Sequence, residues 1–232
     1  MLPDGCVDLI WRADRDLVVA GPATVPVHAD LPAGTTTVGV RWRPGAGGAG
    51  LGLPLDALRD ATVPVEELWG RDAAEALSER LAEAPTAAAR LALLQDVVAV
   101  RQGAAPDRGR VAPRRAGLAD PLVAAACRAV AADAATGRVT GVGPLADALA
   151  VSERQLLRRF RAAVGYGPRT LARVLRFQRF LAVAWAPAPA SGDGPRDLAR
   201  LAAELGFADQ AHLTRECRRL AGTTPARLLD GG

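Results

Sequence analysis

One pattern of residues occurs twice in the C-terminal half of this chain, 57 positions apart. Counting from Ser152, Leu156 stands at +4, Phe160 at +8, Gly165 at +13 and Pro168 at +16. Counting from Asp209, Leu213, Cys217, Gly222 and Pro225 fill the same places. Each position has a physical meaning. A Ser or Asp side chain accepts a backbone N–H and caps a helix start. Residues at +4 and +8 share one helical face and point inward. The glycine ends the helix in a left-handed conformation, and the proline opens the next helix, where its missing N–H costs nothing. A shorter helix precedes each cap: Leu145 to Ala150 with Val151, and Leu201 to Gly206 with Phe207. Ala146 and Ala202 allow the two helices to cross closely. Gly206 suits the tight turn, and Ala150 replaces it in the first copy. The second turn is one residue longer. Two matched copies predict two helix-turn-helix units.

The outward face of each second helix carries the chemistry. Arg154, Arg158 and Arg161 lie opposite Leu156 and Phe160; Ala211, Arg215 and Arg218 lie opposite Leu213 and Cys217. Arg can read guanine edges and Gln adenine edges, while phosphates accept Arg anywhere. Residues near the helix N-terminus reach bases and later ones meet the backbone. Base contacts are therefore expected from Arg154, Gln155, Arg158, Gln210, Thr214 and Arg215. Phosphate contacts are expected from Arg161, Arg218 and Arg219. The competing reading is a solvated arginine face. Between the units, Pro168 to Trp185 reads as one helix with Leu171, Val174, Leu175 and Leu181 apolar and Arg169, Arg173, Arg176 and Arg179 basic. It would be roughly 27 Å long, near the ~34 Å that separates successive major-groove faces.

Charge follows the same division. All 29 basic residues are Arg, so arginine abundance by itself means little and position must decide. Residues 1–112 hold 11 Arg and 15 acids; residues 113–232 hold 18 Arg and 10 acids. Within 152–179 there are 8 Arg and a single acid, Glu153. An acidic front and a basic back predict two domains, the second facing a polyanion. The stretch 101–117, rich in Pro, Gly and Arg, reads as the linker, with domains at 1–100 and 118–232. The stretch 186–196 reads as a loop before the second unit.

The front half reads as strands, then helices. Val7–Trp11, Asp16–Gly21 and Thr36–Arg43 are strand candidates, the last with Val38, Val40 and Trp42 on one face. A Gly-rich stretch through Gly52 ends the third. Residues 54–60, 72–83 and 86–100 read as helices. Two or three short strands are too few for an independent sheet, so they must lean on helices or on another chain, or lack strands upstream. The expected fold is α+β and predominantly α: a small N-terminal β/α domain, then an all-α domain of two helix-turn-helix units joined by a long helix.

With both repeats in view, residues 118–232 resemble the DNA-binding domain of the AraC/XylS family of bacterial transcription regulators. The family signature is closely matched by Leu205-Gly206-Phe207-Ala208-Asp209-Gln210, Leu213, Arg215 and Gly222-Thr223-Thr224-Pro225. The resemblance implies seven helices and promoter binding by two recognition helices, about 152–164 and 209–221. It departs at Cys217, where the family has Phe, and at Leu157, where the family is often polar. The front half resembles the N-terminal domain of an AraC-type subgroup, a degenerate cupin-like β-fold. Its marks are Leu2-Pro3-Asp4-Gly5-Cys6-Val7-Asp8-Leu9, Val38 to Gly45 and Val65 to Gly70. Relatives carry strands before that first stretch, so either a chain shortened at its N-terminus or a true start upstream of Met1 is expected.

The resulting expectation is a cytoplasmic, sequence-specific DNA-binding regulator, its front half serving effector sensing or dimerisation. Double-stranded DNA is the partner, with RNA polymerase, a small-molecule effector and a second copy of the chain as further candidates. No apolar run of 18 residues and no basic-then-apolar leader occurs, so neither a membrane span nor a signal peptide is expected. Cys6, Cys127 and Cys217 form no CxxC or Cys/His cluster, so no metal site, cofactor or enzyme with a methyl-accepting Cys is expected. Cys6 as a sensor competes with Cys6 as a small core residue. His28 has no partner pattern. The remaining alternative is a helical protein-interaction module without specific DNA binding.

Overall fold

A computed structural model describes residues 1–103, 120–138, 140–186 and 197–230. In the front part, β1 (Val7–Arg12) pairs antiparallel with β2 (Asp16–Ala20) and with β3 (Thr37–Trp42). Alternation puts Val7, Leu9 and Trp11 on one face, where they meet Leu17, Val19, Val38 and Trp42 in a buried cluster. The opposite face carries a cross-strand ion pair: Arg41 donates to both oxygens of Asp8 at 2.7 Å, and a further nitrogen reaches Asp4 at 2.8 Å.

Helices cover the apolar face. α1 (Gly48–Leu51) follows β3 within the Gly-rich stretch that ends that strand. The segment expected to be helical at 54–60 is a 3-10 turn, Leu55–Leu58, whose two leucines are buried. A fourth strand, β4 (Thr62–Pro64), joins β2 and completes the order β3-β1-β2-β4. Three residues ending in proline are too short to show a period, which is why it escapes a sequence reading. α2 (Val65–Trp69), α3 (Arg71–Glu83) and α4 (Ala87–Arg101) follow. Arg101 thus belongs to a helix and stacks over Trp69 at 3.9 Å. Of the expected linker, residues 104–117 lie outside the described residues, as do 187–196 of the expected loop.

The back part is helical throughout. α5 (Pro121–Thr136) is capped by Asp120. α6 (Val142–Ala148) and α7 (Glu153–Val164) form the first helix-turn-helix; α8 (Pro168–Ala184) links it to α9 (Leu198–Glu204) and α10 (Gln210–Ala221). α11 (Pro225–Asp230) ends the described chain. Among the described residues these make seven helices, the number expected for this half. One apolar cluster spans both units, with Phe160, Phe177, Phe180, Leu156, Leu171 and Leu213 fully buried. Cys217 is fully buried there, and burial pushes its thiol up to about 12, so it serves as a small apolar filler.

The two parts are packed together. The Gln178 amide of α8 donates to the Pro3 carbonyl at 2.6 Å, and Leu2 packs against the helical cluster. Gly165, at the end of α7, lies so close to Pro22 and the Leu55 carbonyl that a Cβ would come within 2.3 Å and 3.1 Å of them.

Candidate nucleic-acid interface

The two units repeat down to single hydrogen bonds. In the first turn Val151 N–H donates to the Ala146 carbonyl at 3.1 Å, and Ala150 N–H to Asp147 at 3.0 Å. In the second, Phe207 N–H donates to Ala202 at 2.8 Å and Gly206 N–H to Ala203 at 3.2 Å. The turn residue is left-handed in both, with φ 76 at Gly206 and φ 54 at Ala150. For alanine that conformation costs about 1–2 kcal/mol. Gly206 has a second reason to be glycine: a Cβ there would come within 2.6 Å of the Gly137 backbone at the end of α5.

Both second helices start and stop as the repeat requires. The Ser152 hydroxyl accepts from the Gln155 backbone N–H at 3.2 Å, and the Gln155 side-chain Oε1 accepts from the Ser152 backbone N–H at 3.1 Å, a capping box. Asp209 accepts from the His212 N–H, and the His212 Nδ1 accepts from the Ala208 N–H at 3.1 Å. The imidazole thus takes a backbone N–H one residue earlier than Gln155 does in the first unit, with its own proton assigned to Nε2. Gly165 and Gly222 end the helices at φ 91 and φ 69.

Arg154, Gln155, Arg158 and Arg161 are exposed on α7; Gln210, Arg215, Arg218 and Arg219 are exposed on α10, and Thr214 is half-buried. No carboxylate among the described residues lies within ion-pair distance of Arg154, Arg158, Arg161, Arg215, Arg218 or Arg219. Two of the expected base readers have part of their polar capacity already engaged. The Gln155 oxygen is held by the cap, leaving its NH2 group as donor, and the Thr214 hydroxyl donates to the Gln210 carbonyl at 2.9 Å.

Of the other arginines of the basic stretch, Arg169 is exposed, whereas Arg159, Arg173, Arg176 and Arg179 engage neighbouring elements, so the stretch does not turn all of its charge to one polyanion-facing surface. Arg159 pairs with both oxygens of Asp120 at 2.6 Å, tying α7 to α5. Arg173 pairs with both oxygens of Glu216 at 2.8 and 2.7 Å, tying α8 to α10. Arg179 donates to the Ala134 carbonyl of α5. Arg176 is only 4% exposed, lies 5.6 Å from the Phe207 ring centre, and has an Nε with no partner. Burial lowers its pKa from the ordinary arginine value while Glu216 opposes the shift. Helical spacing alone cannot tell an arginine that faces solvent from one that faces a neighbouring helix. Glu216 had a readable signal, since it falls between Leu213 and Leu220 on the apolar side of α10.

The cavity beside Cys6, Asp8 and Arg41 holds about 20 Å³, room for about one water. Burial and the Asp4 carboxylate push the Cys6 thiol up to about 11, which suppresses the reactive thiolate. No group of three His, Cys, Asp or Glu able to hold a metal occurs among the described residues. No described helix is long and apolar enough to cross a membrane.

Two capped helices of one design, joined through α8 and bearing unpaired arginines outward, define a double helix-turn-helix protein. Residues 145–231 match a helix-turn-helix domain family, and residues 1–64 match a domain family of unknown function, DUF6597. The chain is 37% identical over 110 residues to an AraC-like transcription regulator of Streptomyces lividans, covering 47% of this chain and 33% of that protein. The chain thus spans about a third of the length of the curated relative it matches. Solved structures similar to it include an AraC-type regulator from Chromobacterium violaceum, 20% identical with a TM-score of 0.41, covering 47% of this chain and 90% of that one. A second, an AraC family regulator from Rhodopseudomonas palustris, is 22% identical with a TM-score of 0.40, covering 48% and 96%. In its C-terminal half the chain carries a helix-turn-helix domain.

Proposed function

We propose that this protein is a sequence-specific, DNA-binding transcription regulator that inserts α7 and α10 into successive major grooves of a promoter site. The observation that carries this is the duplicated, capped recognition helix with an outward arginine face, both copies joined through one 17-residue helix. That helix is about 25 Å long, compatible with two heads reading neighbouring turns of duplex. Arg154, Gln155 and Arg158 on α7, and Gln210, Thr214 and Arg215 on α10, read bases. Arg161, Arg218 and Arg219 grip phosphates. The exposed NH2 group of Gln155 and the exposed guanidinium of Arg158 support the first assignment; Thr214, with its hydroxyl bonded to its own helix, offers a methyl for a thymine.

Residues 1–100 form the regulatory part, through effector sensing or self-association, and 101–117 connect it to the DNA-binding part. The action is in the cytoplasm, on double-stranded DNA, with RNA polymerase as a further partner and no reaction catalysed. The test is selection of the purified chain on random duplexes, then binding to the selected sequence at two salt concentrations. Two short enriched elements about one helical turn apart are expected. With six to ten phosphate contacts, affinity should fall by roughly 10³–10⁵ between 50 and 200 mM salt. A helical interaction module would enrich no sequence and show no such slope.

A further inference from the structure

Arg59, in the front part, lines one cleft with Arg161 of α7. Leu55–Leu58 packs against the end of α7, and the contact of Gly165 with Pro22 and the Leu55 carbonyl holds that segment at backbone distance. The segment is fixed from its other side as well. Asp60 N–H donates to the Pro22 carbonyl at 3.2 Å, and the Asp60 carboxylate receives both the Thr24 N–H and its hydroxyl. With Asp60 so engaged, Arg59 has only a grazing 3.9 Å approach to it and stays half-exposed.

Arg59 then opens onto a cleft of about 650 Å³ together with Arg161 from α7 and Arg169 and Thr170 from the start of α8. Three arginines, from three separate parts of the chain, line this space. Neither Arg161 nor Arg169 has a carboxylate within ion-pair distance among the described residues. Two carboxylates also line the cleft: Glu153, whose side chain lies against Gly143, and Asp56. The excess is positive, the cleft is open, and its wall includes Arg161, the phosphate residue of the first unit.

We infer that the cleft receives a backbone phosphate of the duplex at the flank of the α7 element, and that Arg59 and Arg169 bind it beside Arg161. This rests on the DNA-binding reading above. The front part is then more than a sensor carried behind the DNA-binding part: it contributes a cation to the interface. A movement of the Leu55–Arg59 segment off α7 would withdraw that cation and loosen the grip on every sequence alike.

The experiment uses the full chain and a duplex carrying the selected sequence. Arg59→Ala should weaken binding by roughly eightfold at 0.1 M salt and flatten the salt slope by about 0.9, the loss of one phosphate contact. The loss should be equal on specific and unrelated duplexes. It should vanish when the flanking phosphates on the α7 side are replaced by neutral methylphosphonates. Arg59→Lys should restore most of the affinity, Asp56→Asn should strengthen binding, and Arg80→Ala, on α3, should change nothing. If Arg161→Ala weakens binding while Arg59→Ala and Arg169→Ala do not, the cleft is not a phosphate site, and the DNA reading stands without it. If the unaltered chain enriches no duplex, the DNA reading itself has failed and this inference goes with it.

Discussion

Arg173 and Glu216 form a two-pronged ion pair across the gap between α8 and α10, with the glutamate side chain 10% exposed. It is a polar tie between α10 and α8, the helix that follows α7. A pair of this kind adds little net stability over apolar packing, but removing one partner leaves a charge stranded. Here the stranded group would be Arg173, with the buried Arg176 beside it.

Glu216→Ala should therefore destabilise the protein by about 3 kcal/mol, read as a drop in urea midpoint at constant slope. The charge-exchanged double variant Arg173→Glu with Glu216→Arg should recover a good part of it. A loss below about 0.5 kcal/mol would mean that the pair is solvated and idle.

The two turns should respond oppositely to the same kind of change. Ala150→Gly relieves the left-handed strain at φ 54 and should stabilise by about 0.5–1 kcal/mol, after the extra chain entropy glycine brings. Gly206→Ala adds the same strain and drives a Cβ to 2.6 Å from the Gly137 backbone, so it should cost more than about 2 kcal/mol. Thermal unfolding of the two variants side by side distinguishes them.

Asp120 gives a pH signature. Its hydrogen bonds from Arg159 hold its carboxyl below the ordinary carboxylate range. A carboxyl with a lower pKa folded than unfolded adds stability that is present above the unfolded value, about 3.9, and lost as pH falls through the folded value. Asp120→Asn should destabilise at pH 7 and flatten the fall in stability below about pH 4. A variant whose acid unfolding runs parallel to that of the unaltered chain would show the pair contributes nothing to it.

Recognition should separate from grip. Arg158→Ala and Arg215→Ala should each cost about 1–3 kcal/mol on the selected sequence and relax preference at one base position. Arg161→Ala should weaken all duplexes alike. If neither of the first two changes specific affinity at matched salt, the recognition-helix assignment is wrong.

Cys6 should behave as an inert thiol. With its pKa at about 11, its rate of reaction with a disulfide reagent at pH 7 should be far below that of an exposed cysteine and should climb steeply toward high pH. Fast labelling at neutral pH would reopen a sensing role.

Much of the helical half was legible because its signals are local. A cap, two inward positions, a left-handed glycine and a proline each act within one or two turns of chain, and a copy 57 residues on repeats the same test. The strands Val7–Arg12, Asp16–Ala20 and Thr37–Trp42 were legible for the same reason, through alternation. Thr62–Pro64 and Gly48–Leu51 were not, since three or four residues are too few to show a period. The inward partners of Arg159, Arg173, Arg176 and Arg179 were not legible, because an arginine's local pattern is identical whether it meets water or a group on another helix.

The sequence by itself thus determined the helices, their caps and turns, and the doubling of the unit, all set by backbone and side-chain preferences over a few residues. Only the tertiary structure decided which arginines are free. That depends on contacts between residues 39 to 43 positions apart, Asp120 with Arg159 and Arg173 with Glu216, and on the docking of Leu55–Arg59 against the end of α7. Those distances are fixed by packing of the whole chain, and packing has no short-range signature.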